Sequence, residues 1–244
     1  MSFRAWLLSA HTSWDPASLP LSTAPPPGGI LLARHRTGWT ARLDLPPFGA
    51  CVLKLYVHPG LETLRGAFRN TFLAPSRAAR EARTLLWLRA RGLGAPEPLA
   101  FGEHRFLGWL RKAWILSRYV EAENVEALLS REPPPEEDLY EALGEWLGQA
   151  HALGLEDRNP HLRNFLARRS REGTWEIFKV DSPRARFHQG PAPLRARAWD
   201  LGILLGEARR LRIPREARAT FQRAYWEAWE ETSKRKVTGP SFTR

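Results

Sequence analysis

Gly154-Leu155-Glu156-Asp157-Arg158-Asn159-Pro160-His161-Leu162-Arg163-Asn164-Phe165-Leu166 is the most informative segment of the chain. It is polar, is punctuated by Pro160, and turns apolar at Phe165-Leu166 as a strand does. Asp157 is the only carboxylate from Asp157 to Asn164. It is therefore the loop's candidate for accepting a proton from a hydroxyl. Asn159 offers an amide, which orients a hydroxyl but cannot act as its base. Asn164 precedes its strand, and Asp181 follows the apolar run Ile177-Phe178-Lys179-Val180. A hairpin with strands Phe165 to Ala167 and Trp175 to Val180, joined by Ser170 to Thr174, would bring these two ends together. An Asn carbonyl and an Asp carboxylate are hard oxygen ligands, suited to magnesium bound jointly with phosphates. Turn capping, the usual work of Asn and Asp, stands as the alternative.

Two residues upstream carry a second theme. Val52-Leu53-Lys54-Leu55-Tyr56 centres a lysine in an apolar strand. Burying an ammonium calls for an anionic partner, such as nucleotide phosphates plus a helix carboxylate. An edge-strand lysine reaching solvent is the alternative. Glu81 lies in Arg77-Ala78-Ala79-Arg80-Glu81-Ala82-Arg83-Thr84-Leu85-Leu86-Trp87-Leu88, where Leu85 and Leu88 share its face. A pair with a nearby arginine in the same helix is the plainer reading. A pair with Lys54 is the sharper one.

The chain has 244 residues and 43% hydrophobic content, enough for one large domain or two small lobes with a real core. Cys51 is the single cysteine, so disulfide frameworks and cysteine zinc sites within one chain are excluded. That fits a reducing compartment. No run resembles a signal peptide or a membrane span. The net charge of +11 comes almost wholly from arginine; only Lys54, Lys112, Lys179, Lys234 and Lys236 are lysines. Such a surface favours anionic partners, although a compositional bias toward arginine would produce it too. No nucleic-acid recognition module is present.

Along the chain, residues 1–29 are Ser/Pro-rich and read as a loose arm or linker. Ile30 to Ala33, Trp39 to Leu45 and Ala50 to Val57 read as strands. Pro75 to Arg91 reads as a helix, and Pro98 to Phe101 and Ala113 to Tyr119 as further strands. A short helix spans 124–131, Pro133-Pro134-Pro135 interrupts, and Glu136 to Leu153 is a long helix. Leu194 to Glu231 reads as helical. The expectation is an α+β fold of two lobes: a small β-rich lobe over 30–120 and a mostly helical lobe over 121–244.

Together these segments resemble the lipopolysaccharide kinase (Kdo/WaaP) family within the protein-kinase-like fold, over roughly residues 30–230. The resemblance rests on Val52-Leu53-Lys54, Glu81 in its helix, and Gly92-Leu93-Gly94-Ala95-Pro96-Glu97-Pro98 leading to Gly102. It continues through Leu147-Gly148-Gln149-Ala150-His151-Ala152-Leu153-Gly154, the loop quoted above, and Val180-Asp181-Ser182-Pro183-Arg184-Ala185-Arg186-Phe187. It implies ATP and Mg2+ as cofactors. Lys54 would contact phosphates and pair with Glu81. Asn164 and Asp181 would hold the metal. Ser117 to Val120, with Ser117 and Tyr119, would line the adenine pocket as a hinge. Asp200, in Ala198-Trp199-Asp200-Leu201, matches a helix Asp that supports the catalytic loop. His151 reads as a packed structural histidine.

Two positions depart from the pattern. The phosphate-covering loop, Arg34-His35-Arg36-Thr37-Gly38-Trp39, has one glycine; Arg34 and Arg36 would substitute by charge. The base position, five residues before Asn164, is Asn159. Asp157 and Asn159 are therefore both catalytic candidates. The leading expectation is an ATP-dependent kinase that phosphorylates a sugar hydroxyl of the lipopolysaccharide core or a related glycolipid. Arg184 and Arg186 would help bind an anionic acceptor. The protein would be cytoplasmic, peripheral at the inner membrane, with Arg223, Trp226, Trp229, Lys234, Arg235 and Lys236 toward anionic headgroups. The alternative is a catalytically impaired pseudokinase, a nucleotide-binding scaffold or regulator. A kinase for another small hydroxylated molecule, such as an antibiotic, shares the missing base and gains nothing over these.

Overall fold

Alternation of apolar and polar residues builds the first half of the molecule. The computed structural model describes residues 2–8, 19, 21, 25–26, 28–35, 37–58, 72–132 and 137–238. The chain divides into two compact units, Met1–Trp87 with Pro96–Val120, and Leu88–Ala95 with Glu121–Arg244.

The first unit is built on an antiparallel sheet. Its strands are β1 (Ser2–Leu7), β2 (Ile30–His35), β3 (Gly38–Leu45), β4 (Gly49–Val57), β5 (Pro98–Phe106) and β6 (Trp109–Arg118). They lie in the order β1-β5-β6-β4-β3-β2. Trp39, Ala41 and Leu43 on β3 and Cys51, Leu53 and Leu55 on β4 recur every second residue and point to one buried face. Leu99, Ala100, Trp114 and Leu116 complete that core. Burial pushes the Cys51 thiol up to about 11, so this cysteine behaves as a small hydrophobe. Period two then places Val52, Lys54 and Tyr56 on the opposite face. Helix α1 (Arg77–Arg89) starts at Ser76, whose hydroxyl accepts the Ala79 N–H at 3.0 Å. Ala78, Glu81, Ala82, Leu85 and Leu88 are its buried residues of helical spacing.

The loose-arm reading of residues 1–29 is corrected at its start. Ser2 to Leu7 pair with β5 from Ser2↔Arg105 to Leu7↔Ala100, and Trp6 stacks on Phe101 at 4.7 Å. Leu19 is buried in the same core. A six-residue strand beside a Ser/Pro-rich tract has too little alternation to announce itself. Most of that tract, and Arg36, lie outside the described residues, as do Pro133-Pro134-Pro135.

The second unit is mostly helical. It comprises β7 (Glu123–Asn124), α2 (Val125–Leu129), α3 (Glu137–Ala152), β8 (Leu155–Glu156), a 3-10 turn (Leu162–Asn164), β9 (Phe165–Arg169), β10 (Trp175–Lys179), β11 (Arg186–Phe187), α4 (Leu194–Arg210) and α5 (Arg215–Thr238). The single helical run expected over 194–231 is two helices. Arg212 has φ 56 and Pro214 precedes α5, a combination that ends one helix and starts the next. β9 and β10 form the expected hairpin, with Lys179 opposite Phe165, and β7 adds a third strand. β8 pairs with β11. The segment Leu88–Ala95 belongs here because Gly94 lies against β10. Its carbonyl accepts the Lys179 N–H at 3.0 Å, and a Cβ on Gly94 would meet Ile177 O at 1.9 Å.

Helices α3 and α5 approach closely because glycine removes the side chain at the contact. A Cβ at Gly144 would meet Phe221 O at 2.3 Å, and one at Gly148 would meet Tyr225 O at 2.3 Å. Gly148→Ala is therefore expected to cost about 1–3 kcal/mol through overpacking. Gly202→Ala, on α4 with open space around it, is expected to gain up to about 1 kcal/mol from helix propensity. Thermal unfolding of the two variants checks this. Equal melting temperatures would show that the α3–α5 contact relaxes freely.

Candidate active site

In the first unit, two strand positions and one helix position converge. Lys54 Nζ lies 3.2 Å from Glu81 Oε2, with the side chains 12% and 8% exposed. The Tyr56 hydroxyl donates to the same oxygen at 2.8 Å. Lys54 and Tyr56 share a strand face, and Glu81 comes from the buried stripe of α1, so the three meet by period alone. An ammonium shielded this far from water and held by a carboxylate has the charge to attract a further anion. The intrahelical alternative for Glu81 is not what the structure shows. Ser117 lies between Val52 and Pro98 near the end of β6. The Tyr119 N–H donates to Ala50 O at 2.9 Å, and the Arg42 guanidinium covers the Tyr119 ring at 4.3 Å. These residues end the first unit.

In the second unit, the loop quoted at the outset is held from several sides. Asp200, fully buried on α4, accepts the Asp157 N–H at 2.9 Å and the Arg158 N–H at 3.0 Å. His151 sits between Asp200 Oδ2, 3.3 Å from Nε2, and the Tyr225 hydroxyl, 2.9 Å from Nδ1. It is a packed structural histidine. Glu207 accepts the Leu162 N–H at 2.7 Å and contacts His161 Nδ1 at 2.8 Å. Three of the loop's backbone donors, at Asp157, Arg158 and Leu162, are thus met by carboxylates projecting from α4.

Asn159, Asn164 and Asp181 come together. The Asn159 amide donates to Asp181 O at 2.8 Å, and the Asn164 amide donates to Asn159 O at 3.1 Å. The Val180 N–H donates to Asn164 O at 2.9 Å, which extends the hairpin one pair beyond its last strand residues. Asp181 turns there into left-handed backbone, φ 56. Asn164 is 6% exposed, and its side-chain amide is spent on Asn159 O. Its Oδ1 makes no hydrogen bond among the described residues, and its backbone carbonyl meets the residue before Asp181. An Asn oxygen and an Asp carboxylate at two adjoining strand ends fit a magnesium ion that takes its other ligands from phosphates and water. No group of three or more His, Cys, Asp or Glu placed to hold a metal ion exists among the described residues.

Asp157 is enclosed rather than open to solvent. Its side chain is 0% exposed, and the Lys179 ammonium, also 0% exposed, lies 3.2 Å from Oδ2. Burial pushes its carboxyl above the ordinary range, while Lys179 and the Ser182 hydroxyl pull it back. Lys179 is the residue the sequence reading passed over. It alternates with the buried Ile177, so the charge lies on an inward face, and lysine is scarce in this chain. Tyr56, Glu207 and Tyr225 were missed for another reason: each acts through partners 25 or more residues away in sequence. Arg158, Arg163, Arg184 and Arg186 are exposed, and Arg158 lies 3.6 Å from Glu156.

Comparison with known proteins follows the same lines. No curated protein matches the chain. Among solved structures it is similar to "WaaP in complex with acyl carrier protein", at 19% identity and a TM-score of 0.60, over 86% of this chain and 89% of that one. That likeness shows a kinase-like fold. The family described as "Lipopolysaccharide kinase (Kdo/WaaP) family" matches residues 34–225, which include Lys54, Glu81, Asn164 and Asp181. The chain belongs to the lipopolysaccharide kinase (Kdo/WaaP) family.

Proposed function

We propose that the protein is an ATP- and magnesium-dependent kinase that phosphorylates a sugar hydroxyl of the lipopolysaccharide core or a related glycolipid. The observation that carries this reading is the convergence of Asn159, Asn164 and Asp181 at one end of the β9–β10 hairpin, with Asn164 Oδ1 uncommitted. Lys54, fixed by Glu81, would contact the nucleotide phosphates. Asn164 and Asp181 would hold Mg2+, and Ser117 and Tyr119 would line the adenine site. When bound, Mg2+ supplies charge neutralisation on the phosphates. The acceptor oxygen bonds the γ-phosphorus, the bond to the β–γ bridging oxygen breaks, and ADP leaves. The acceptor proton passes to a phosphoryl oxygen or to water. A loose transition state makes positioning and charge the main contributions, so an amide at position 159 reduces transfer without abolishing it. The exposed Arg184 and Arg186 would favour an acceptor carrying carboxylate or phosphate groups.

We assign the protein to the cytoplasm, in peripheral contact with anionic lipid. No helix among the described residues is long and apolar enough to cross a membrane. The Arg197 guanidinium lies over both rings, Trp226 at 5.6 Å and Trp229 at 4.5 Å, but Trp226 is the exposed one at 44%, so it is the better candidate for headgroup contact. The similar WaaP structure is a complex with acyl carrier protein, which makes such a protein a candidate partner of this chain too.

One observation favours the second reading, a catalytically impaired pseudokinase that binds nucleotide as a scaffold or regulator. The Asn159 amide is committed to Asp181 O, and the nearby carboxylate Asp157 is fully buried.

Two measurements decide. First, Lys54→Ala and Asp181→Ala are each expected to weaken binding of a fluorescent ATP analogue with Mg2+ by at least about tenfold, equivalent to about 1.4 kcal/mol. Equal binding by all three proteins would remove the nucleotide site. Second, single-turnover transfer to a core-sugar acceptor is expected to be slow but measurable in the natural chain. Asn159→Asp should raise it about tenfold or more, about 1.4 kcal/mol of barrier. An undetectable natural rate with an active Asn159→Asp variant would establish the pseudokinase instead.

A further inference from the structure

Lys179 places an ammonium group where the sequence alone suggests only a strand residue. Its Nζ lies 3.2 Å from Asp157 Oδ2, 2.8 Å from Val180 O and 3.4 Å from Asn159 O. It also lies 5.0 Å from the centre of the Phe165 ring. Three oxygens surround the ammonium: it donates to the carbonyls of Val180 and Asn159 and pairs by charge with the Asp157 carboxylate. Two belong to the loop, from Asp157 and Asn159. The third belongs to Val180, the residue before Asp181. The cation therefore ties the loop to the strand end from the inside. Asn159 and Val180 are the same residues whose other polar atoms fix the site: the Asn159 amide on Asp181 O, and the Val180 N–H on Asn164 O.

Resting on the nucleotide reading above, we propose that Lys179, with Asp157 as its counter-charge, is a positioning element that sets Asn164 and Asp181 in register to bind the divalent metal of a metal–nucleotide complex. Lys179 touches neither metal nor substrate. It fixes the carbonyls of Asn159 and Val180, and through them the amide of Asn159 and the left-handed turn at Asp181. Asp157 takes the part of counter-ion. That explains why the only carboxylate between Asp157 and Asn164 is buried. The amide at position 159 and the buried pair then belong together: between Asp157 and Asn164 the one negative charge lies inside, beside Lys179.

The test separates metal positioning from general stability and from nucleotide binding as such. The full chain is titrated with a fluorescent ATP analogue in EDTA, and then with Mg2+ at fixed nucleotide. Lys179→Met is expected to raise the half-saturating Mg2+ concentration at least tenfold, with metal-free affinity changed less than twofold. Lys179→Met leaves Asp157 buried without its counter-charge, so it is paired with Asp157→Leu/Lys179→Met. Apolar replacement of a whole buried ion pair is often neutral or stabilising. The double variant is expected to melt near the natural protein and still need at least tenfold more Mg2+. A double variant with the natural Mg2+ requirement would overturn the proposal and leave the pair a packing feature. If the natural chain binds nucleotide without any response to Mg2+, and Lys54→Ala changes nothing, the nucleotide reading itself fails and takes this inference with it.

Discussion

An ammonium ion shut away from water is tolerated only where oxygen surrounds it, and the second unit is organised around one such ion. Lys179 is fully buried, as is its partner Asp157. Removing one member of such a pair costs about 3–5 kcal/mol, because the survivor is left charged and unpaired. Asp157, Asn159 and Val180 must therefore stay within reach of one nitrogen. That condition fixes both sides of the hairpin end at once. The amide of Asn159, the oxygen of Asn164 and the turn at Asp181 follow from it.

A second layer of carboxylates supports the first. Asp200 and Glu207, both on α4, accept the N–H groups of Asp157, Arg158 and Leu162. Backbone donors in an irregular loop need partners as much as those in a helix do. Supplying them from one helix, seven residues apart, aligns the loop along that helix face. His151 on α3 and Tyr225 on α5 then brace Asp200. The close approach of α3 and α5 through Gly144 and Gly148 is what allows Tyr225 to reach. In the first unit the same economy appears on a smaller scale. One strand face carries Lys54 and Tyr56, one helix stripe carries Glu81, and the pair forms where they cross.

Period-two alternation made β3 and β4 readable, and with them the position of Lys54. The helical stripe made Glu81 readable. The spacing from Asn159 to Asn164, followed by an apolar strand and Asp181, made the hairpin readable as a possible metal site. What escaped was of three kinds. β1 escaped because a short edge strand pairs with β5 across about a hundred residues, and local sequence carries no record of its partner. The break between α4 and α5 escaped because Leu211 to Pro214 sits inside an otherwise helical composition. The burial of Asp157 was not legible, because a residue's place in the sequence says nothing about its exposure. Its true partner, Lys179, lies 22 residues away on another strand. An inward-facing lysine opposite Phe165 was the available clue.

If Asn164 and Asp181 hold a divalent cation together with nucleotide phosphates, crystals grown with a nonhydrolysable ATP analogue and Mn2+ will show it in diffraction recorded at the manganese edge. An anomalous peak is expected bonded to Asn164 Oδ1 and an Asp181 carboxylate oxygen at about 2.0–2.2 Å, close to the distances magnesium demands. A bound nucleotide whose manganese peak contacts neither residue would refute the metal assignment.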